Sequence, residues 1–360
     1  MSRFNPQEPP VKIAPRHSAL ATVFVLAATS ALAGPKWDIS EDSHIQLGAL
    51  GQVHASFTED AADEHDIYLR RARLILSGQV MDGLKFFMET DNDNAGRSGT
   101  SSVSTDIQDA FVEQRLAEGH YLQGGLLIVP FSFENAASAA SLLGNDYNLE
   151  TLKFAETFAF RDYGVIFRGA FGKKFAYRLG AFDGYDDRAG TKNPEAKLRG
   201  TGHLALNLVG EVENGWFFTQ ERLDDKPYLT IGAGVDNQQE ASRLVSTNAP
   251  PVIVDNEAFV ADFQSGVPAG PVFLTLNGAW TTWDNAQFDG DTAFLEAGVR
   301  VKEVQAVCKQ SRQDPDEGDT IDDTTLGFYH FRKKHQARAG VETRFGDSST
   351  QVLLSFQIML

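Results

Sequence analysis

Apolar and polar side chains alternate one for one along short segments of this chain, and the pattern recurs from Ile45 to Leu360. Its clearest instance is Ile67–Asp91, IYLRRARLILSGQVMDGLKFFMETD. On the first arm Ala72, Leu74, Leu76 and Val80 alternate with Arg71, Arg73, Ser77 and Gln79. After a turn at Met81-Asp82-Gly83, Leu84, Phe86, Met88 and Thr90 alternate with Lys85, Phe87, Glu89 and Asp91. Successive side chains on a strand point to opposite faces, so the stretch predicts a hairpin with one greasy face and one charged face. A soluble sandwich could bury the greasy face; how often the pattern recurs decides against it.

Residues 1–33 read as an export signal. Arg3, Lys12 and Arg16 give a basic start, Ala19–Ser30 an apolar core, and Ala31-Leu32-Ala33 a cleavage site before Gly34. The apolar core is too short to span a bilayer as a helix. Cleavage leaves 327 residues with 29 Lys and Arg against 48 Asp and Glu, an acidity that excludes a nucleic-acid partner. No later run is apolar enough for a transmembrane helix. Cys308 is the single cysteine, so no internal disulfide forms, and nothing about it suggests a metal or thiol site.

Along the chain, a first strand covers Ile45–Phe57, and an acidic loop, Glu59–Asp66, leads into the hairpin. Asp106–Leu116 and Tyr121–Phe131 form the next pair. Ser132–Phe160 then breaks the alternation, and a connection of that length is usually functional or disordered. Alternation resumes at Tyr163–Phe171 and Phe175–Ala181, and returns around Leu204, Ile231, Phe259, Leu274, Leu295, Val341 and Leu354. Strands of this length, joined alternately by short turns and long polar loops, are the signature of a transmembrane β-barrel. A sheet can cross a bilayer only if it is closed. At about 20 residues per strand and connection, the chain predicts an all-β, antiparallel barrel of about 16 strands.

Several of these stretches resemble the phosphate-selective porin O/P family of bacterial outer membranes. They are YLRRARLILSGQV, LKFFMETD, DAFVEQRL, GGLLIVPFSFE, RDYGVIFRG and FAYRLGAFDGYD, in that order, with a looser likeness in GFYHFRKKHQARAGVETRFG. The resemblance implies a 16-stranded, homotrimeric outer-membrane barrel in which residues 132–160 fold inward to narrow the pore. It also implies anion selectivity from arginines lining the bore and basic residues at the constriction. Two features depart from that pattern. The constriction loop carries Glu134, Asp146, Glu150 and Glu156 against a single Lys153, and the chain ends on Leu360 rather than an aromatic residue.

The polar phase of each strand gives a lumen independent of the resemblance. Its basic members are Arg71, Arg73, Lys85, Arg115, Arg168, Arg178, Arg199, Arg300, Lys302, Arg338 and Arg344, against nine acidic ones. Arginine forks suit phosphate or carboxylate oxygens; salt bridges across a wet lumen account for the same residues equally well. Arg70 falls on the greasy phase and requires a rim or a bulge. Phe171, Phe175, Tyr177 and Trp280 suit an interfacial girdle.

Asp91–Gly96 begins like a calcium loop but lacks two of the ligand positions. His44, His54 and Ser56 lack an acid partner for catalysis. Neither a cofactor nor a metal nor an enzyme activity is expected. The expected function is passive diffusion of small hydrophilic solutes through the outer membrane, leaning to anions such as phosphate. The alternatives are a porin for another, possibly cationic, solute, or a structural or adhesive barrel plugged by its own loop. Expected partners are membrane lipid and lipopolysaccharide.

Overall fold

The computed structural model describes residues 34–59, 65–99, 104–148, 154, 160–184, 186–187, 193, 196–243, 252–346 and 349–360. The expected export signal lies outside the described residues. A short strand, β1 (Lys36–Asp38), pairs with the start of β2 (His44–Thr58). The wall continues through β3 (His65–Met81), β4 (Leu84–Asp91), β5 (Asp106–Ala117), β6 (His120–Ile128), β7 (Arg161–Phe171) and β8 (Phe175–Phe182). It resumes with β10 (Arg199–Val209), β11 (Tyr228–Arg243), β12 (Val252–Ala269), β13 (Val272–Asn285) and β14 (Phe288–Val301). It ends with β15 (Val304–Pro315), β16 (Ile321–Arg332), β17 (Ala337–Gly346) and β18 (Thr350–Met359). A two-residue β9 (Asp186–Asp187) lies beside the far end of β11.

Each wall strand is antiparallel to its neighbours. β8 pairs with β10, and β18 pairs with β2 from Gln351 opposite Thr58 to Met359 opposite Leu50. Sixteen strands therefore close on themselves, and no wall edge is left unpaired. The alternation does what the sequence predicts: on β3, Leu74 is 70% exposed and its neighbour Arg73 is 7% exposed. The outer face is a band of Leu, Val, Ile and Phe, including Leu204, Ile231, Val299 and Phe356. Phe171 and Trp280 face outward with it, whereas Tyr177 packs between Phe167, Phe171 and His120.

Three local features set the register. Asp82-Gly83 turns β3 into β4, with Gly83 at φ +77°, a region open to glycine. Gln52 pairs with Arg71 and Val53 with Leu69, so Arg70 is an extra residue at a bulge. Tyr329 is wholly buried on the inner face, where its ring lies over Gly327 and Gly340, and a Cβ at either position would collide with it.

Two strands lie where greasy alternation is silent. On β15 the exposed positions are Ala306, Cys308, Gln310, Arg312 and Asp314, an outer row with little apolar character. On β16 the inward row carries Tyr329 and Phe331, which pack with Leu143 and Val307 inside the barrel. The acidic connection between these two strands is short, because β15 runs to Pro315 and β16 begins at Ile321.

Gly340→Val should lower barrel stability by about 1–3 kcal/mol by overpacking against Tyr329, read as an earlier urea midpoint in detergent. Adding Tyr329→Ala should recover part of the loss. An unshifted midpoint for Gly340→Val would show that the ring does not depend on that contact.

Candidate functional site

The bore is not uniformly polar. Inward side chains of β3 to β8, β12 and β13 form an aromatic cluster that includes Phe87, Phe111, Phe182 and Trp283. Val129 and Phe131, just past the end of β6, join it, as do Trp216 and Phe217 from the connection between β10 and β11. Phe87 and Phe111 stack at 5.4 Å, and Trp216 meets both edge-on at 5.2 and 5.6 Å. One side of the barrel interior is therefore packed like a protein core.

Two segments cross what remains. The first is the described part of the long connection after β6. Asn135 closes a turn at its start, accepting from Ser132 N at 2.7 Å and donating to the Val129 carbonyl at 2.6 Å. Residues 132–148 then run against inward groups from around the wall. Phe133 N donates to Asp262 at 3.1 Å, Gln52 donates to the Ala139 carbonyl at 3.2 Å, and Gln357 to that of Ala140 at 3.0 Å. Arg338 donates to the Leu142 carbonyl at 2.8 Å, and Asn145 N donates to Glu342 at 2.9 Å.

The second segment, residues 210–227, enters from the opposite end, where every other described connection is a short turn. Arg168 donates to the Asn214 carbonyl at 2.7 Å, and Arg178 to the carbonyls of Gly215 and Trp216, both at 2.9 Å. Further along, Gln264 donates to the Thr219 carbonyl at 3.1 Å. Glu221 accepts from Thr275, Arg300 and Gln305, and its carbonyl lies 2.8 Å from His335 Nε2. These partners belong to β7, β8, β12 to β15 and the turn after β16, so the segment runs across the bore. It meets the first segment at a parallel bridge between Ala137 and Phe218, at Glu221 N to the Ser141 carbonyl (2.9 Å), and at Leu143 N to Gln220 (3.1 Å).

The basic residues named from the sequence separate into two groups. Arg71, Arg73, Arg168, Arg178, Arg199, Arg300 and Arg338 are buried inside the barrel. Arg73 pairs with Glu89 at 2.6 Å and Asp91 at 2.8 Å, Arg168 with Glu113, and Arg199 with Asp236, its Nε lying 2.7 Å from the carboxylate. Arg300 pairs with Glu221 at 3.2 Å and Asp225 at 2.7 Å.

The others sit differently. Arg115 and its partner Asp82 are exposed at the short-turn rim, and Lys302 occupies the turn after β14 at φ +55°. Both continue the polar phase of their strands, but past the point where the wall encloses them. Lys85 is half-buried near the same rim, and Arg344 is half-buried beside Asp323. In the inward loop, Glu134 is fully buried and Asp146 lies on the bore, whereas Glu150, Lys153 and Glu156 fall outside the described residues.

Sequence reasoning missed Arg161, paired with Asp109 at 2.9 Å, and Lys309, 3.8 Å from Glu296. It also left Arg70 unplaced; the bulge turns it inward beside Arg71. Ten buried Lys and Arg then stand against twelve buried Asp and Glu among the described residues, which reverses the basic excess counted on the strands.

Next to the crossing segments, a cavity of about 190 Å³ opens among Tyr68, Arg70, Asp146, Lys309, Glu342 and Arg344. Arg70 holds the Asp146 carboxylate through Nε (2.6 Å) and Nη2 (2.9 Å), and Arg71 adds Nη2 at 2.7 Å. Burial disfavours the Asp146 charge, but the two guanidinium groups outweigh it and hold the carboxyl well below its usual range. Glu134 is the opposite case. Burial, reinforced by the Glu296 charge, pushes its carboxyl up to about 8 despite Lys309 and two bonds from Asn148.

His203 lies 2.9 Å from Asp262, whose carboxylate also accepts from the Phe133 amide. The carboxylates of the calcium-like loop are taken by arginines, Asp91 by Arg73 and Asp93 by Arg70. Among the described residues, no group of three or more His, Cys, Asp and Glu is placed to hold a metal ion.

A closed sixteen-strand barrel with an apolar outer band and buried charged side chains inside is the architecture of an outer-membrane channel. The chain belongs to the phosphate-selective porin O and P family, whose model matches residues 47–249. Three solved structures share the fold at low identity. OmpT of Vibrio cholerae, described as a trimer form, is 12% identical with a TM-score of 0.57, covering 89% of this chain and 100% of its own. The anion-selective porin from Comamonas acidovorans is 12% identical with a TM-score of 0.55, over 89% and 100%. The outer-membrane channel DcaP of Acinetobacter baumannii is 12% identical with a TM-score of 0.57, over 90% and 99%. No curated protein matches the sequence.

Two outcomes follow from the anchoring. Arg178→Ala removes both donors from the 215–216 carbonyls, so limited proteolysis of residues 210–227 should speed up several-fold while the barrel stays folded; unchanged cleavage would mean the segment is held elsewhere. Glu134 keeps a proton in the folded protein that the unfolded chain, with a value near 4.5, releases. Stability should therefore fall as pH rises from about 4.5 through about 8. Glu134→Gln should flatten that part of a urea-midpoint profile, and a profile equally steep in both proteins would remove Glu134 as its source.

Proposed function

We propose that this porin passes small hydrophilic solutes by passive diffusion, and that its lumenal arginines hold the interior together rather than forming a phosphate filter. The supporting observation is how the guanidinium groups are used. Arg70, Arg71, Arg73, Arg161, Arg168, Arg199 and Arg300 each lie against a carboxylate. Arg178 and Arg338 instead bond backbone carbonyls of the two crossing segments. A filter must offer donors and positive field to an ion stripped of water, and donors bonded to the protein's own oxygens offer neither.

The crossing segments would narrow the bore, with residues 132–160 as its constriction loop. Residues 1–33 would be removed as the export signal. The trimeric form described for OmpT supports a homotrimer held in lipid and lipopolysaccharide. An anion preference has the family description and the Comamonas porin on its side. The buried charge balance, ten basic to twelve acidic among the described residues, favours weak selectivity. The two segments meeting inside the barrel also support a second reading, a barrel closed at rest that serves a structural role.

Reversal potential across a KCl gradient in a planar bilayer tests these readings. The expected result is a small potential, near zero or on the cation side, with no block by millimolar phosphate. A strong anion-side potential with phosphate block at low concentration would overturn the proposal in favour of a phosphate filter. A silent wild type that conducts once Arg178 is replaced by Ala would establish the closed barrel.

A further inference from the structure

The guanidinium groups of Arg70 and Arg71 are closed on a carboxylate that does not belong to the wall. Asp146 rides on the inward segment, and its side chain is 25% exposed toward the cavity, over Arg70 at 10% and Arg71 at 3%. Three N–H donors meet its two oxygens, Arg70 Nε on Oδ2 and Arg70 Nη2 with Arg71 Nη2 on Oδ1. This is the fork geometry that fits a planar carboxylate. Each guanidinium has a second anchor: Arg70 Nη1 pairs with Asp93, and Arg71 Nη1 donates to Gln52 at 2.7 Å. The fork therefore stays aimed when Asp146 leaves it.

We propose that Arg70 and Arg71 form a binding site for a small monocarboxylate, in which Asp146 is the resident occupant and a solute carboxylate takes its place. The inference rests on the porin reading, because the cavity is where a solute in the bore would meet the site. The class is set by charge and donor number. Arg97, Lys309 and Arg344 line the same cavity beside Asp323 and Glu342, so the solute is an anion, and three donors shared between two oxygens fit a carboxylate. Lys309 is held beside the fork, its Nζ on the Asp146 carbonyl at 2.8 Å and 3.8 Å from Glu296. A tethered carboxylate competes at an effective concentration on the order of millimolar or higher, so exchange in the wild type is weak and removal of Asp146 exposes the site.

Departure of Asp146 also loosens the segment that carries it. Its neighbour Asn145 is held by Glu342 through its N–H (2.9 Å) and by Ser355 through its side chain (2.5 Å), and solute binding would strain those contacts. Specificity and constriction are then coupled through one residue.

The test is chemical rescue of full-length Asp146→Ala in detergent. Sodium acetate, chloride and phosphate are titrated at matched ionic strength, and the temperature at which the folded, heat-modifiable gel band is lost is read. Acetate should raise that temperature saturably in Asp146→Ala, with half-saturation at least about tenfold below the wild type. Adding Arg70→Ala should abolish the response. The proposal is overturned if acetate acts no better than chloride, or if phosphate acts better than acetate. If Asp146→Ala fails to fold, refolding yield with and without acetate becomes the readout; rescue supports the site and absence of rescue overturns it. The readout involves no current, so failure here leaves conduction standing, and failure of conduction leaves this result standing.

Discussion

Everything in this molecule depends on the seam between β2 and β18, where Thr58 to Leu50 pair with Gln351 to Met359. Hydrocarbon offers no hydrogen-bonding partner to a bare strand edge, and each unsatisfied N–H or carbonyl there costs several kcal/mol. Closing the sheet satisfies the wall backbone and divides every strand into two unrelated surfaces. The outer row need only match lipid, which Leu, Val, Ile and Phe do with little demand on order. The inner row is freed from that requirement, and the individuality of the protein lies there.

That inner row is organised as a folded interior. A barrel of this size could leave a wide aqueous bore, but here an aromatic cluster fills one side and two chain segments cross the rest. Segments of this kind expose many backbone groups, and each buried carbonyl needs a donor. Arg168, Arg178, Arg338, Gln52, Gln264 and Gln357 supply them. Arginine suits this task because it stays charged and offers several donors at once. Its own burial is expensive unless paired, and removing one partner of a buried pair costs about 3–5 kcal/mol. The buried carboxylates are thus as necessary to the interior as the arginines.

The fold was largely legible in the sequence because the lipid-facing row obeys one simple rule. Period-two alternation located the first hairpin, the strand of Tyr163–Phe171 and the closing strand to within a few residues. It failed on β15, where Gln310 and Arg312 stand in the outer row, and on β16, where Tyr329 and Phe331 point inward against Leu143. The inner surface was harder to read because its partners are not strand neighbours. Adjacent Arg70 and Arg71 cannot both face the bore of a regular strand, and that conflict was itself a signal of the bulge. The crossing segment also left a trace in the sequence. Strand parity requires a short turn after β10, yet 210–227 is long and carries Trp216-Phe217-Phe218. Which wall groups it would meet depends on distances across the barrel, and no local pattern encodes those.

The same geometry explains why counting cations along the strands overstates anion selectivity. A fixed charge acts on a passing ion only through the field that its partners leave uncancelled. At 4 Å an effective dielectric of about 20 gives roughly 4 kcal/mol between unit charges, so a carboxylate within 3 Å of a guanidinium removes most of its reach. Selectivity then depends on which pairs can open. The wall-to-wall pairs, such as Arg199 with Asp236, are fully buried and fixed by two strands. Asp146 differs in belonging to a segment whose backbone is anchored by a small set of hydrogen bonds, and in facing the cavity. Of the described ion pairs inside the bore, a loop-borne pair open to the cavity is the kind whose exchange can alter what the channel admits.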